Sequence, residues 1–302
     1  MRSPNRLIPL SSSTMKSLLW TIIAALSLAQ SAVLALDPNS SERLDLLIVA
    51  PHSDDEAIGC ATVIARAVAE KKRPGVVILT AGDGFPKAAA AVAKKPIDQL
   101  RPEDFIAVAA LRQRHSLEAM RRLGVREQDL FFLGYPDGGL AAMYDATADA
   151  PYRQPFTGRT ETYGPIVADY HRRTHGQSAP YTRQAAVDDL AEIIRTRRPH
   201  AIFVTGETDT HADHRFAGRY VIDAAHAVNF EGEIWSYIVH GEPPSSPADL
   251  RVTLTDREFQ FKRSLLESYE IGVSPVHDDL AETYTLPEER FWKLSLPRDA
   301  SK

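Results

Sequence analysis

The sequence predicts an α/β protein with a Rossmann-like, mostly parallel sheet and helices on both faces. Short, continuously apolar runs of the kind found in buried parallel strands recur along the chain. The stretches between them repeat apolar residues at helical spacing, and the alternation of the two kinds favours a layered α/β domain. A length of 302 residues, with 44% hydrophobic and 25% charged residues, is ordinary for a globular protein.

The first strand-helix-strand unit follows from two apolar runs, LDLLIVA at 44–50 and GVVILT at 75–80. Between them, apolar residues repeat at the spacing of one buried helical face: Ala57, Cys60, Ala61, Ile64, Ala65 and Val68. Further elements are predicted in chain order: a helix near 102–123, a strand at 129–134, a helix near 184–197, strands at 200–205 and 232–239, and a helix at 256–269.

Residues 1–35 have the pattern of an export signal. Arg2, Arg6 and Lys16 precede an apolar stretch at 18–28, and Val33 and Ala35 occupy the small-residue positions of a cleavage site. The alternative is an uncleaved membrane anchor, because residues 18–36 approach the length of a span. Cleavage predicts a periplasmic or extracellular protein.

Charge and cysteine content limit the possible partners. Removing residues 1–35, which carry three basic side chains and no acids, leaves 267 residues and changes the formal net charge from −5 to −8. This balance disfavours a nucleic-acid partner. Cys60 is the sole cysteine, so an intrachain disulfide is excluded, and its place on the apolar helix face favours an inert buried thiol.

The remaining chain, 36–302, is predicted to be one domain with a long irregular insertion at about 138–181. This segment fits neither the strand nor the helix period. Its tyrosines and arginines lie too far from any regular pattern to be assigned to the core, so it is predicted to form a wall of the pocket and to set substrate choice. The alternative is a surface loop that only covers apolar area. The residues concerned include Tyr152, Arg153, Arg159 and Tyr163.

Polar clusters follow two of the predicted strands: PHSDDE at 51–56 and DTHADHR at 209–215. In a parallel sheet, ligands bind beyond the carboxyl ends of the strands. His52 and Asp55, three residues apart on a turn that opens a helix, can point to one spot, and His214 can complete a set of two histidines and one carboxylate. Such a set is typical of a catalytic metal site. The alternative is that both clusters only cap helices.

These clusters resemble the paired signatures of the PIG-L/LmbE zinc-dependent de-N-acetylases, here HSDDE and HADHR. The resemblance extends to TAGDG at 80–84, LGYPDG at 133–138 and EERFW at 288–292, and so covers nearly all of the chain after residue 35. It implies an enzyme that removes the acetyl group from N-acetylated amino sugars, free or conjugated.

The resemblance also implies roles for individual residues. One zinc ion, or another divalent ion, would be bound by His52, Asp55 and His214. Asp54 would be the general base, and His211, steadied by Asp213, would lie over the developing oxyanion. These roles agree with the general chemistry, because a metal polarises an amide carbonyl and acidifies water, and a neighbouring carboxylate can accept the proton.

Substrate contacts are expected at two further positions. Arg112 stands where the family tends to place a substrate-binding arginine, and His240 follows another predicted strand. The sequence departs from the family pattern at Ser53, where proline is usual, and at His115, where glutamate is common. His115 is equally compatible with a buried structural histidine.

Other functions compatible with the same residues are a metal-dependent amidase or esterase acting on another small molecule, and an inactive sugar-binding descendant. A metallo-β-lactamase-like site is disfavoured, because Asp209 occupies the position of its first histidine and PHSDDE would have no role. The predicted partner is an amino sugar or glycoconjugate, with a membrane involved only if residues 1–35 are retained.

Overall fold

A computed structural model describes residues 42–146, 150–273 and 279–296, so the predicted export segment lies outside the described residues. These ranges contain one sheet of seven strands: β1 (Leu46–Ala50), β2 (Pro74–Thr80), β3 (Leu130–Tyr135), β4 (Ala201–Thr205), β5 (Glu233–Tyr237), β6 (Leu250–Thr253) and β7 (Glu288–Leu294). Their spatial order is β3-β2-β1-β4-β5-β7-β6. Strands β1 to β5 pair in parallel, and β7 is antiparallel to β5 and β6.

Nine α-helices lie in the same ranges: α1 (Asp55–Ala69), α2 (Pro86–Ala93), α3 (Pro102–Leu123), α4 (Leu140–Asp145), α5 (Tyr170–His175), α6 (Arg183–Arg197), α7 (Ala212–Ala227), α8 (Asp256–Glu270) and α9 (Leu280–Tyr284). The helices predicted from the apolar spacing, now α3, α6 and α8, agree with the structure to within one residue at each end. Of the helices in the described ranges, none has both the length and the apolar character needed to span a bilayer.

Alternate side chains of the strands pack into two apolar layers, one on each face of the sheet. Leu47 and Val49 of β1 face the layer that contains α6 and α7. Leu46 and Ile48 of the same strand face the layer that contains α1, α3 and α8. Because strand side chains alternate between faces, a continuously apolar strand can bury both of its faces. The predicted Rossmann-like sheet with helices on both sides is therefore confirmed.

The direction of winding reverses at β1. Strands β2 and β3 lie to one side of β1, and β4 and β5 lie to the other. The chain leaves β1 into α1 on one face and leaves β4 into α7 on the opposite face. Such a reversal opens a crevice at the carboxyl ends of the two strands, which is the usual ligand-binding position in this architecture.

The described part of the irregular segment 138–181 contains two short helices, α4 and α5, and three of its tyrosines are more deeply buried than predicted. Tyr170 and Tyr181 are buried in the α6/α7 layer, and Tyr163 is also buried. The Tyr170 ring packs edge-on against Phe131 of β3, with 6.0 Å between ring centroids. The prediction that these tyrosines lie outside the core was therefore wrong, because the segment folds back over β3.

Candidate metal centre and cavity

The two polar clusters meet at the carboxyl ends of β1 and β4. His52 stands on the turn between β1 and α1, Asp55 opens α1, and His214 lies in the first turn of α7. All three residues are buried. The main-chain N–H of His52 donates to Asp55 Oδ2 at 3.0 Å, which fixes the two side chains on one turn. The structure therefore brings together the three residues that the sequence predicts as metal ligands.

Three potential donor atoms of these residues form a nearly equilateral triangle. His52 Nδ1, Asp55 Oδ2 and His214 Nε2 lie 3.2 Å from one another. Atoms at this spacing can all lie about 2.0–2.2 Å from one ion, the usual length of zinc bonds to imidazole nitrogen and carboxylate oxygen. Two nitrogens and one carboxylate on one side of an ion leave its other positions open, so the donor set fits a catalytic divalent cation.

The electrostatics of the triangle favour positive charge. Burial alone would raise the pKa of Asp55, but His214 and His52 outweigh it and hold that pKa well below its usual range. Burial alone would lower the pKa of His214, yet Asp55 and Asp209 raise it to about 9. The pKa of His52 is also raised, against burial, by the carboxylates around it. A divalent cation held by these residues would supply the charge that the carboxylates favour and would take the place of the imidazole protons.

Each histidine of the triangle is oriented by a carboxylate on its other ring nitrogen. His214 Nδ1 lies 3.1 Å from Asp209 Oδ2. His52 Nε2 lies 3.2 Å from Asp213 Oδ2 and 3.3 Å from Asp137 Oδ1. Such contacts fix the tautomer and the ring orientation of histidine ligands. No role was predicted for Asp209 from the sequence, although its place five residues before His214 was a usable signal.

Main-chain N–H groups hold these orienting carboxylates in place. Asp209 accepts hydrogen bonds from the main chain of His211 at 2.9 Å, Val239 at 2.9 Å and His240 at 3.0 Å. Asp213 accepts from the main-chain N–H of Gly138 at 2.6 Å and of Leu140 at 3.1 Å. The turn after β3 and the end of β5 therefore both help to position the triangle.

Asp213 differs from its expected role. The resemblance assigns it to steadying His211, but its carboxylate contacts His52, and only its main-chain N–H reaches His211, donating to Nδ1 at 3.2 Å. Because Nδ1 accepts, a neutral His211 carries its proton on Nε2. Burial, together with His52 and His214, lowers the pKa of His211 to about 4, so this ring is a neutral hydrogen-bond donor at pH 7.

A cavity of about 410 Å³ opens onto these residues. Asp54, Arg112, His211 and His240 all line it, as do four residues at the start of and within α9: Asp279, Leu280, Thr283 and Tyr284. No residue of the segment 138–181 is among the described lining residues. The described part of the segment predicted as a pocket wall therefore does not line this cavity, and residues of α9 do.

Burial raises the pKa of Asp54 to about 7, although Arg112 opposes this shift. Arg112 Nη2 lies 3.5 Å from Asp54 Oδ2, and Arg112 Nη1 lies 3.4 Å from Asp137 Oδ2. A carboxylate with a pKa near neutrality can both accept and return a proton at pH 7, which suits a general base.

His240 lies close to the triangle, whereas His115 and Cys60 do not line the cavity. The His240 ring centroid is 4.8 Å from that of His214, and its Nδ1 is 3.1 Å from the Tyr284 hydroxyl. His115 is a buried residue of α3 whose ring packs edge-on against Tyr269 of α8, with 5.8 Å between ring centroids, and burial lowers its pKa to about 4, so its position fits the structural alternative. Cys60 is buried, as predicted, and burial raises the pKa of its thiol.

Other donor combinations surround the same point. His211 lies with His52 and His214, and His240 lies with Asp55 and His214, in groups whose potential ligand atoms are within 4.8 Å of one another. The donor atoms of His52, Asp55 and His214 lie closer together than this, at 3.2 Å from one another. The two extra imidazoles therefore stand beside the triangle.

Comparison with known proteins identifies related sequences and folds. The family model described as GlcNAc-PI de-N-acetylase, PIG-L, matches residues 47–225, more than half of the chain. No curated protein matches the sequence.

Several solved structures share the fold. The conserved protein TT1542 from Thermus thermophilus is 23% identical, with a TM-score of 0.53 over 84% of this chain and 96% of that chain. Teicoplanin deacetylase Orf2 is 14% identical, with a TM-score of 0.51 over 84% and 99% of the two chains. The A40926 pseudoaglycone deacetylase Dbv21 is 14% identical, with a TM-score of 0.50 over 85% and 99%.

Proposed function

The chain belongs to the PIG-L family, described by its model as GlcNAc-PI de-N-acetylase, and from that premise we propose that it is a metal-dependent hydrolase that removes acetyl groups from N-acetylated amino sugars. The observation that carries this proposal is the 3.2 Å triangle of His52, Asp55 and His214 beside a cavity that Asp54 also lines. A ligand set with open positions next to a carboxylate of raised pKa suits amide hydrolysis.

In this proposal, His52, Asp55 and His214 hold one divalent ion, with zinc favoured by the two imidazoles and the single carboxylate. The ion would polarise the amide carbonyl and lower the pKa of water. Asp209 and Asp213 keep the two histidines in the tautomers that ligation needs.

The chain's own side chains handle the protons. Asp54 accepts a proton from the attacking water and returns it to the departing sugar amine, which its pKa of about 7 permits. The His211 imidazole, neutral and protonated on Nε2, donates a hydrogen bond to the oxygen of the acetyl carbonyl as negative charge develops there.

The cavity favours an uncharged sugar. Its described lining carries the carboxylates of Asp54, Asp55, Asp137 and Asp279 and a single arginine, Arg112, which is already paired with Asp54 and Asp137. With Asp54 ionised and one divalent ion bound, the four carboxylates still outweigh the ion and Arg112 by one charge, so anionic groups gain no net attraction, whereas carboxylates and the hydroxyls of Thr283 and Tyr284 can bind sugar hydroxyls. A cavity of about 410 Å³ is at the small end of ligand sites. We therefore expect neutral N-acetylhexosamines to be hydrolysed in preference to their phosphates.

Acetate release tests the proposal. Purified protein, loaded with zinc, manganese or cobalt, is incubated with N-acetylglucosamine, its β-1,4-linked disaccharide and N-acetylglucosamine 6-phosphate. The expected result is metal-dependent release of acetate, fastest from a neutral sugar. Sugar binding by calorimetry without turnover would instead support an inactive sugar-binding descendant, and turnover only of simple amides or esters would support a different hydrolase.

Export remains a second part of the proposal and rests on the sequence pattern of residues 1–35. The basic residues, the apolar stretch and the small residues at Val33 and Ala35 support cleavage after Ala35. N-terminal sequencing of the protein recovered from a secretion-competent host should begin at Leu36. A mature protein that retains Met1 and sediments with membranes would favour the anchor.

A further inference from the structure

Asp54 has an unusual backbone conformation. Its φ is 118° and its ψ is −35°, in a region that residues with a Cβ rarely adopt. Strained backbone of this kind persists only where surrounding contacts fix it, and it concentrates at functional sites. Because Asp54 is the proposed proton carrier, the contacts that fix its backbone bear on the reaction.

Both polar groups of the Ser53–Asp54 peptide are captured by buried side chains. The Ser53 carbonyl accepts a hydrogen bond from Arg112 Nη2 at 3.0 Å. The Asp54 main-chain N–H donates to Glu56 Oε2 at 2.9 Å. Rotating this peptide to relieve the strain at Asp54 would break both contacts, so the two side chains together hold the turn.

Glu56 is itself held rigidly. It is fully buried, at 0% exposure. Its other oxygen, Oε1, accepts from the Ser116 hydroxyl of α3 and the Tyr269 hydroxyl of α8, each at 2.7 Å. Glu56, Ser116 and Tyr269 are not among the described cavity-lining residues, so this network lies behind the site.

Packing alone does not explain a carboxylate at this position. Burying a charge is unfavourable unless hydrogen bonds compensate it, and an apolar side chain of similar size is usually at least as stabilising. The helix dipole of α1 does not require it either, because Asp55 already places an acid in the first turn. What Glu56 uniquely supplies is the acceptor for the Asp54 main-chain N–H.

We propose that Glu56 is a positioning residue for the reaction, which acts by holding Asp54 in the backbone conformation that directs its carboxylate into the cavity. The expected effect of Glu56 on kcat rests on the proposed function, whereas its expected effect on the backbone conformation of Asp54 does not. Ser116 of α3 and Tyr269 of α8 hold Glu56 in place, so both helices contribute to the position of the residue that transfers the proton.

A double-mutant cycle tests the kinetic part. Glu56→Leu should lower kcat by roughly 10²-fold, because misplacing a reacting group by about 1 Å has an effect of that size. KM and metal content should stay within about two-fold of wild type. Glu56→Gln is the matched control: its amide oxygen can accept from Asp54, and its NH₂ can donate to both hydroxyl oxygens, so it should retain most activity.

The same substitution in an Asp54→Asn background separates positioning from general destabilisation. If Glu56 acts through Asp54, adding Glu56→Leu to Asp54→Asn should cause no further loss of kcat. An equal fold-loss in both backgrounds would overturn the proposal. A Glu56→Leu protein with wild-type kcat would do the same.

A crystal structure of the Glu56→Leu variant gives a readout that needs no substrate. The φ of Asp54 should move to a negative value, and its carboxylate should leave the cavity. An unchanged φ near 118° would refute the inference even if no N-acetyl sugar is turned over. Should Glu56→Leu not fold, the pair Ser116→Ala and Tyr269→Phe removes both supporting donors with little change of shape. That variant should show a smaller movement and a smaller loss of kcat in the same directions, and an unchanged Asp54 would again refute the proposal.

Discussion

Adjacent aspartates after β1 experience opposite environments. Burial dominates at Asp54 and raises its pKa to about 7. At Asp55, the imidazoles of His214 and His52 outweigh burial and keep the pKa well below its usual range. Asp55 is therefore a permanent anion, suited to binding a cation, while Asp54 can exchange a proton near neutral pH. Two carboxylates with separated pKa values are the usual basis for dividing such roles.

Replacing His214 with alanine should abolish stoichiometric metal binding, because it removes one of three donors and leaves Asp55 without its partner. Elemental analysis of protein purified with zinc gives the stoichiometry. His175→Ala is the matched control, since that imidazole is exposed on α5. Full zinc content in the His214→Ala protein would contradict the assigned ligand set.

Asp54→Asn should separate chemistry from binding. The variant is expected to keep its metal and fold, while turnover falls by at least ~10²-fold, the usual effect of a lost general base. Since burial disfavours the charge at this position, the metal-free variant should also be no less stable than metal-free wild type at pH 8. Asp98→Asn, at an exposed position, is the control. Near-normal acetate release would remove Asp54 from this role.

Asp209→Asn should weaken metal binding by roughly 10–100-fold, the usual effect of losing a carboxylate that orients a histidine ligand. The amide can keep one acceptor but cannot serve His214 and all of the main-chain donors that Asp209 satisfies. A competition titration with a chelator measures the affinity. Asp223→Asn is the control, because Asp223 pairs with Arg183 at the surface of α7. Equal affinities for the two variants would show that Asp209 does not tune the site.

At the scale of elements, the sequence predicted the strands and helices that an unbroken local pattern of apolar residues encodes. The apolar runs of β1 to β5 and the helical spacing of α1 identified those elements, and the strand ends identified the clusters around His52 and His214. Strand β6 was missed because its alternation of apolar and polar side chains, at the sheet edge, lasts for only four residues. The burial of Tyr163, Tyr170 and Tyr181 was missed because it depends on contacts between distant segments, which no local period records.

The opposite end of the sheet is fixed by a buried ion pair. Arg197, at the end of α6, and Asp129, just before β3, are both fully buried and paired. Arg73 and Arg126 also contact Asp129, at 2.8 and 2.9 Å. This cluster ties β3, α6 and the start of β2 together at the end of the sheet remote from the metal centre.

Arg197→Ala should lower the free energy of unfolding by about 3 kcal/mol, the lower end of the range for breaking a buried pair, because Asp129 keeps two other arginines. Urea denaturation measures the change, and Arg195→Ala, at an exposed position of α6, is the control. Zinc stoichiometry should not change. A loss below about 1 kcal/mol would mean that the remaining arginines fully compensate.

For the whole molecule, the metal centre joins two parts of the chain that are far apart in sequence. His52 and Asp55 follow β1, and His214 lies 162 residues after His52, beyond β4. An ion bound by all three connects both sides of the point where the winding reverses. Ligand binding to the native state alone stabilises it by mass action.

Adding zinc at about 1,000 times its Kd should therefore raise the free energy of unfolding by about 4 kcal/mol, and a chelator should reverse the change. Thermal or urea unfolding with and without the ion measures this difference. His214→Ala should show no such response. A comparable gain in that variant would place the stabilising ion elsewhere.

The main-chain donors to Asp209 and Asp213 have a consequence for mutational mapping. Substituting a side chain with alanine leaves the backbone N–H in place, so an alanine scan would not remove these hydrogen bonds and would not measure their effect. Proline removes the donor, which makes it the informative substitution at Leu140, Val239 and His240, whereas the positive φ of 75° at Gly138 is incompatible with proline. A scan restricted to alanine would assign the loops after β3 and β5 little importance, although their peptide groups orient both histidine ligands. The donors outside α7 and its cap belong to Gly138, Leu140, Val239 and His240.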